Sequence, residues 1–498
     1  MTTSRTWLVV IAVAFALRLP AFNDRFYSND EATYSAIAAK LVSGGTMYAD
    51  AVDHKPPGIA WLYTGMFRIG GLYHLRPIRL LLAAIVALTG IVVGELAHSL
   101  TGEPLARIAG LLYVALSATG FAPHTQAANT ELFSNFPITL AAVAMWKQSR
   151  TNGSMQAWTW AILAGMCTAA ATLFRYQVAL AGVAWLISLF VPRRRPHAFE
   201  AVAGLAVGFA AIGAAIIVGF WTAGHLDDFL FWGWRYNFQY IASVPFQQEA
   251  IRFAIGSLPI VVAWLPAIAL LAWARRTTTL PWLWLVAMCV AVSVGGRFFG
   301  NYFLVVAPPL AVLAGAGAAA LYTSGARRWL GVLMAAAATL AVVSALAVPA
   351  WDLLDPAATR LDTAYRDAGE WLNSHTAPDD RILVWGDSAQ LYVYSQRIMA
   401  TRFAFTNYHA GIIWGTNAIP GSAHPAVPSL VVPRAWSELL DDIARTPPAL
   451  IVDAAAGGLH DFEGHELEKY PQLWTIVQNQ YRYETTRSGI RIYRRIRS

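Results

Sequence analysis

The sequence predicts a polytopic α-helical membrane protein with a small α/β domain at its C-terminal end. Of its 498 residues, 57% are hydrophobic and 13% are charged, too apolar for one water-soluble domain and too long for one packed core. Residues 1–350 hold 22 Lys or Arg against 12 Asp or Glu, whereas residues 351–498 hold 14 against 17. We therefore predict a membrane domain over 1–350 and a soluble domain over 351–498.

About eleven apolar stretches precede residue 350, each near the length that crosses a bilayer as a helix. They cover residues 6–22, 77–98, 104–121, 131–147, 156–174, 177–192, 198–221, 252–274, 280–296, 302–322 and 329–350. The first stretch lacks a small-residue cleavage site, which favours an uncleaved anchor over a signal peptide.

Basic residues predict the orientation of these stretches. If the stretches alternate in direction, the basic residues of the short loops and span ends fall on one side, which is the cytoplasmic side by the positive-inside pattern. They are Arg5, Arg107, Lys147, Arg150, Arg193, Arg194, Arg195, Arg275, Arg276, Arg327 and Arg328. The N-terminus is then cytoplasmic. The loop 23–76, the segments 122–130 and 222–251, the turn 297–301 and the soluble domain are then extracytoplasmic.

Acidic residues point to the extracytoplasmic side as the working face. Nine of the twelve acids before residue 350 fall there under this orientation: Asp24, Asp30, Glu31, Asp50, Asp53, Glu131, Asp227, Asp228 and Glu249. Carboxylates at a lipid–water boundary cost desolvation energy, so they remain solvated or face a cation, a polar substrate or a proton to be removed.

The sequence of the loop 23–76 predicts two helices within the loop. "DEATYSAIAAKLVSGG" places Tyr34, Ile37, Ala38 and Leu41 on one face and ends at two glycines. "GIAWLYTGMFRIGGLY" predicts a second helix, entered from a pair of prolines. Both are short for a span, so we expect them to lie along the membrane interface, as does the aromatic segment 225–242. For that segment, an aromatic belt without a specific role is the plain alternative.

The soluble domain has the pattern of an α/β fold. "RILVWG" (381–386), "ALIVDA" (449–454) and "GIRIYRRI" (489–496) predict strands, and "WSELLDDIA" (436–444) predicts a helix. Gly386 and Asp387 follow a strand. They could open a nucleotide loop, but without GxGxxG the pattern favours an ordinary turn.

Three residues of the first loop could carry chemistry. Asp30 is the candidate general base. In "DHKPPG" (53–58), two prolines fix the direction of the preceding side chains. Lys55 suits a phosphate, and His54 suits a metal or a proton. The alternative is that both side chains are merely solvated.

The stretch "NDEATYSAIAAKLVSGGTMYADAVDHKPPGIAWLYTGMF" (29–67) resembles the first extracytoplasmic loop of GT-C glycosyltransferases. The similarity is greatest to protein O-mannosyltransferases and lipid A aminoarabinose transferases. It implies a GT-C type fold in which an acid of the Asp30-Glu31 pair is the catalytic carboxylate, with Asp30 favoured by position. A following HPP or EKPP element closes the donor site in the family, and His54, Lys55 and two prolines are similar to both versions.

The resemblance extends to weaker motifs in the later helices. "ANTELFSNF" (128–136) implies a second acidic site at Glu131, and "LFRYQ" (173–177) places Arg175 at another outer helix end. "GGRFFGNYFLVVAPPLAVLAG" (295–315) places Arg297 outward. Lys55, Arg175 and Arg297 are the predicted ligands of a lipid phosphate, although each arginine could instead reach to lipid headgroups.

The resemblance implies an inverting transferase that moves a hexose or pentose from a polyprenyl-monophosphate lipid to an extracytoplasmic glycan, lipid or protein of the cell envelope. The rival is a transporter or flippase for such lipids, since charges near a membrane also mark substrate pathways. No cofactor is required by the pattern. His54 or Glu131 is a candidate ligand of a divalent metal. The aminoarabinose transferases have a metal-binding glutamate at the position of His54, and a histidine can also bind zinc. We expect a multi-pass protein of the plasma membrane, in contact with membrane lipids and with no nucleic-acid partner.

Overall fold

The computed structural model describes residues 3–120, 124–191, 197–243, 246–350, 354–413, 427–459 and 462–496. Arg193, Arg194 and Arg195, which contribute to the predicted orientation, lie outside these residues. Contacts group the chain into two compact units. A helical unit comprises Met1–Arg25, Ile78–Gly224 and Arg252–Pro349, and a mixed unit comprises Phe26–Pro77, His225–Ile251 and Ala350–Ser498. The predicted membrane–soluble boundary near residue 350 stays a prediction.

The helical unit is built from apolar helices. They are Thr3–Arg18, Arg76–Thr101, Ala109–Leu116, Thr130–Gln148, Ser154–Thr172, Leu180–Ser188, Ala198–Thr222, Phe246–Leu270, Thr279–Ser293, Ala307–Thr323 and Arg327–Ala347. Each of the eleven predicted stretches is thus helical over most of its length.

Six segments in the described part of the chain are long and apolar enough to cross a membrane, as expected of a multi-pass membrane protein. They are Ser4–Ala21, Arg76–Thr101, Ala198–Thr222, Glu249–Ala274, Gly300–Thr323 and Arg327–Ala347. Three others are apolar but shorter, so eleven crossings stay a prediction. Gly300–Thr323 is 94% buried over its apolar window, whereas Arg327–Ala347 is 17% buried. The former is therefore the centre of the helical unit, and the latter lies at its surface.

The mixed unit contains shorter helices around a small sheet. The helices are Asn29–Val42, Gly58–Gly70, Leu226–Asp228, the π-helix Phe229–Arg235, Tyr236–Ala242, Pro356–Ser374, Gln390–Ser395, Asn407–Ala410, Pro433–Arg445 and Pro471–Gln480. Both helices predicted in the loop 23–76 are confirmed, and so is the helix predicted over 436–444.

The sheet has four strands: β1 (Ile382–Trp385), β2 (Leu450–Asp453), β3 (Tyr481–Arg487) and β4 (Ile490–Arg495). Their order is β1-β2-β4-β3, with β1 parallel to β2 and the other pairs antiparallel. All residues of β1 and β2 are buried, as expected where both faces of a sheet are covered. The predicted β1, β2 and β4 are confirmed, whereas β3 is not anticipated by the sequence pattern.

Glycines allow two helices of the helical unit to pack closely. A Cβ at Gly208 on Ala198–Thr222 would overlap the carbonyl oxygen of Ile162, and one at Gly165 on Ser154–Thr172 would overlap that of Leu205. Small residues at such crossings let backbones approach within the membrane, where packing rather than hydrophobic burial drives helix association.

We expect Gly208→Val to destabilise the helical unit by about 1–3 kcal/mol, because the added methyl groups cannot fit without separating the two helices. The measurement is the thermal unfolding midpoint of the purified protein in detergent. Gly213→Val on the same helix is the control, since nothing lies within 4 Å of a Cβ there. Equal midpoints for the two variants would contradict the close crossing.

Candidate active site

The first loop helix, Asn29–Val42, begins at a cap that separates the two adjacent acids. The Ser28 hydroxyl accepts the Asp30 backbone N–H at 3.2 Å. A Glu31 carboxylate oxygen accepts the Tyr27 N–H at 3.0 Å, and Glu31 is fully buried. Ser-x-x-Glu is the sequence signature of a helix start, and the positive end of the helix dipole stabilises the carboxylate. Glu31 therefore supports the helix start.

Asp30 instead pairs with the lysine of the second motif. Lys55 Nζ donates to Asp30 Oδ1 at 2.7 Å, with the lysine side chain 22% exposed and the aspartate 37%. The same Nζ lies 4.7 Å from the ring centroid of Tyr34, one turn after Asp30 on the first loop helix. Burial alone would lower the pKa of Lys55, but Asp30, Tyr34 and Asp53 together outweigh it and raise that pKa well above its ordinary value. The result is a fixed cation beside a carboxylate that water reaches.

A buried acid holds the turn that carries Lys55. Asp53 is 2% exposed, and its Oδ1 accepts the His54 backbone N–H at 2.7 Å. The His54 Nδ1 lies 3.2 Å from the same oxygen. Burial alone would raise the pKa of Asp53, but Lys55 and His54 lower it to about 2. Pro57 then occupies the N-cap position of the helix Gly58–Gly70, so the helix begins directly after the turn.

The aromatic segment 225–242 packs against this turn. The ring of Tyr240 lies 4.4 Å from that of His54, and the Asn237 side-chain amide donates to the His54 carbonyl at 2.7 Å. The segment includes the π-helix Phe229–Arg235, a rare form that is frequent at functional sites. The segment therefore contacts a residue of the candidate site directly, whereas an aromatic belt at the membrane interface needs no such contact.

The C-terminal residues hold the start of the first loop helix. Asp387 is 3% exposed, and one of its oxygens accepts the Asn29 side-chain amide at 2.7 Å. Gln390 donates to the Asn29 side-chain oxygen at 2.9 Å. Gly386, at φ +127°, makes the turn out of β1 that presents Asp387, so the sequence interpretation of an ordinary strand-ending turn agrees with the backbone. Asp387 thus positions the residue immediately before Asp30.

The remaining predicted cations belong to the helical unit. Arg175 pairs with Glu131, which is 1% exposed, and Asn301 donates to the same Glu131 oxygen at 3.1 Å. The Arg175 guanidinium stacks 3.7 Å from the ring centroid of Tyr302. Arg297 is 2% exposed in the turn that leads to Asn301. The structure thus gathers Glu131 and Arg175 with the 297–302 segment, whereas Asp30 and Lys55 belong to the mixed unit.

The two metal candidates have other partners. His54 lies against Asp53 and Tyr240, and Glu131 pairs with Arg175. Over the described ranges, no three His, Cys, Asp or Glu side chains lie together as a metal site needs. The donor set does not fit a bound metal, so we derive no step through one.

Comparisons with known proteins identify the fold. A family model for dolichyl-phosphate-mannose-protein mannosyltransferase matches residues 54–221. The crystal structure of ArnT from Cupriavidus metallidurans bound to undecaprenyl phosphate matches with a TM-score of 0.67 at 15% identity, covering 100% of this chain and 99% of that chain. No curated protein matches the sequence.

A more distant likeness is to archaeal oligosaccharyltransferases. AglB from Archaeoglobus fulgidus, in complex with an inhibitory peptide and a dolichol-phosphate, matches with a TM-score of 0.53 at 12% identity, covering 99% of this chain and 74% of that chain. The apo form of the Archaeoglobus fulgidus oligosaccharyltransferase matches with a TM-score of 0.55 at 11% identity, over the same shares of the two chains. At these identities the likenesses establish a shared fold, and together with the family-model match they confirm the predicted resemblance.

Proposed function

We propose, from the fold that this chain shares with GT-C membrane glycosyltransferases, that the protein transfers a sugar from a lipid-linked donor. The donor in this proposal is a polyprenyl-monophosphate hexose or pentose, and the acceptor is an alcohol of a cell-envelope glycan, lipid or protein. The observation that carries it is the Asp30–Lys55 ion pair, 2.7 Å long, at the start of the first loop helix. A cation for the donor phosphate and a base for the acceptor hydroxyl are the two groups that such a transfer needs.

Donor binding releases the base. The incoming donor is a phosphodiester with one negative charge shared by two oxygens, and the Lys55 ammonium exchanges the Asp30 carboxylate for this anion. Because the pKa of Lys55 is raised well above its ordinary value, the side chain arrives at the phosphate charged at neutral pH. Asp30 is then left with its carboxylate unpaired and accessible to the acceptor.

The transfer is one displacement. Asp30 accepts the proton of the acceptor hydroxyl while that oxygen attacks the anomeric carbon from the face opposite the phosphate. The bond between the anomeric carbon and the phosphate oxygen breaks, and the polyprenyl phosphate leaves with the electron pair. Lys55 stabilises the negative charge that develops on the leaving oxygen in the transition state. The new glycosidic bond has inverted configuration, and the proton passes from Asp30 to water.

In this proposal the mixed unit lies outside the cytoplasm and the N-terminus inside, in the plasma membrane. The proposal follows from the basic residues of the short loops. A site on that side suits a lipid-linked donor, because the activated sugar–phosphate bond is part of the membrane lipid itself. No nucleotide sugar is then required outside the cytoplasm. Arg175 and Arg297 stay predicted phosphate ligands.

The proposal is tested with the purified protein in lipid nanodiscs and a polyprenyl-phosphate sugar labelled in the sugar. Incubation with an envelope extract should release free polyprenyl phosphate and move the label into acceptor material, with matching amounts of each. The same donor reconstituted in liposomes separates the rival function. Redistribution of intact labelled lipid between the leaflets, with no release of polyprenyl phosphate, would identify a flippase and overturn the proposal.

A further inference from the structure

One end of the sheet in the mixed unit carries a groove rich in guanidinium groups. The groove has a volume of about 970 Å³, and a smaller hollow of about 350 Å³ continues it, with Arg381 and Thr446 lining both. Together they form the cationic groove, whose positive side chains are Lys40, Arg381, Arg402, Arg445, Arg482, Arg494 and Arg495.

Acids neutralise part of this charge. Four line the groove: Asp50, Asp379, Asp380 and Asp442. Asp442 accepts hydrogen bonds from both Arg402 and Arg445, so it is fully used within the protein. Glu484 pairs with Arg494 at 3.1 Å. Glu438 lies 3.3 Å from Arg402, so seven cations face six acids and the groove remains positive.

Two of the arginines in the groove have no direct ion-pair partner among the described residues. Within the described ranges, the guanidinium groups of Arg381 and Arg495 make no ion pair or hydrogen bond, although both line the groove. Lys40 shows the resulting crowding of charge. Burial first, and the neighbouring Arg381 next, lower the pKa of Lys40 to about 8. A bound anion would relieve that repulsion.

The groove is separate from the candidate active site. Lys40 follows Asp30 by ten residues on one helix, roughly 15 Å at the rise of an α-helix. Arg381 precedes β1, while Asp387, which holds the start of the first loop helix, follows that strand. The groove and the Asp30 end are therefore opposite ends of the same strand and of the same helix.

We propose that the cationic groove binds an anionic glycan chain, one that carries phosphodiester or carboxylate groups, and thereby holds the distal part of an acceptor. Guanidinium groups match carboxylate and phosphate oxygens in geometry as well as charge. Because the arginines are spread along a groove, they fit repeated charges on a chain better than one small anion. The concave shape suits a chain rather than the flat surface of a bilayer. The proposal rests on the proposed function only in naming the ligand as acceptor, since binding itself is measured without transfer.

The test compares an Arg381→Gln, Arg495→Gln double variant with Arg360→Gln. Arg360 is an exposed arginine of the helix Pro356–Ser374, so the control removes charge from the same unit outside the groove. Neither groove substitution breaks a contact, so folding should be retained and is checked by thermal unfolding. The full-length proteins, in nanodiscs of neutral lipid, are titrated with oligomers of polygalacturonate, short-chain inorganic polyphosphate, inorganic phosphate and neutral dextran.

We expect wild type and the control to bind both anionic polymers, with affinity that falls as salt is added. The double variant should bind them about tenfold or more weakly, because each lost charge-assisted hydrogen bond raises Kd by about tenfold or more. Equal affinity for dextran and polygalacturonate would overturn the proposal, and so would equal affinity for inorganic phosphate and polyphosphate.

Anionic vesicles are the last probe. Weaker vesicle binding by the double variant, with polymer binding unchanged, would reassign the groove to membrane lipid. Absence of sugar transfer with polymer binding intact would count against the proposed function alone.

Discussion

Asp30→Asn should lower the rate of sugar transfer by about 10²–10⁴-fold, the range that a positioned general base contributes. The amide keeps the shape of the side chain but cannot take the acceptor proton. The measurement is the single-turnover rate with donor at saturation, so that binding does not enter the result. Donor binding should be retained or strengthened, because Lys55 no longer has a carboxylate competing with the phosphate.

Glu31→Gln is the matched control for this prediction, since it changes the adjacent acid in the same way. Glu31 is fully buried at the helix start, so its substitution should lower the unfolding temperature while the transfer rate per folded molecule stays close to wild type. Normal turnover in Asp30→Asn would remove Asp30 from the mechanism. Equal rate losses in the two variants would remove the distinction between them.

The different roles of Asp30 and Glu31 could be predicted only in part from the sequence. Adjacent helix residues point about 100° apart, so the pattern predicts that one of the two faces a substrate. It does not say which one. The Ser28-x-x-Glu31 spacing is a local capping signal that assigns Glu31 to the helix start, and it was available in the sequence. Lys55 as the partner of Asp30 depends on a turn 25 residues away and needed the structure.

Regular elements were predictable where their apolar pattern is local. The stretches of the helical unit are long apolar runs, and the strands β1 and β2 are buried along their length, so hydrophobicity alone marks them. The strand β3, "YRYETTR", lies at a sheet edge with most of its residues exposed, and it therefore has no apolar pattern to find. Its pairing with β4 depends on the intervening turn.

Long-range polar contacts were beyond sequence reasoning. Asn29 and Asp387 are 358 residues apart, and neither lies in a spacing that implies the other. Arg175 and Glu131 were both expected at outer helix ends, but their pairing depends on how separate helices pack. The consequence for function is that Arg175 already has an anionic partner, so any contact with a lipid phosphate must compete with Glu131.

Lys55→Gln should weaken donor binding by about tenfold or more, because a charge-assisted contact with the phosphate is lost. Lys55→Arg should recover part of that affinity, since the charge is kept but the guanidinium is larger than an ammonium held between Asp30 and the Tyr34 ring. The measurement is the apparent KM for the polyprenyl-phosphate sugar, together with direct binding of polyprenyl phosphate. Arg68→Gln, at an exposed position on the helix Gly58–Gly70, is the control.

Two further readouts separate this role of Lys55 from a structural one. The Asp30–Lys55 pair is partly exposed, so its loss should cost at most about 1 kcal/mol of folding stability. The folded pKa of Lys55 is raised, so the stability that the pair contributes is fully present below the ordinary lysine pKa and is lost only as pH rises through the raised value. Donor affinity of the wild type should therefore show no loss from Lys55 between neutral pH and the ordinary lysine pKa. A Lys55→Gln variant with unchanged donor affinity but a much lower unfolding temperature would show that the lysine serves the fold rather than the phosphate.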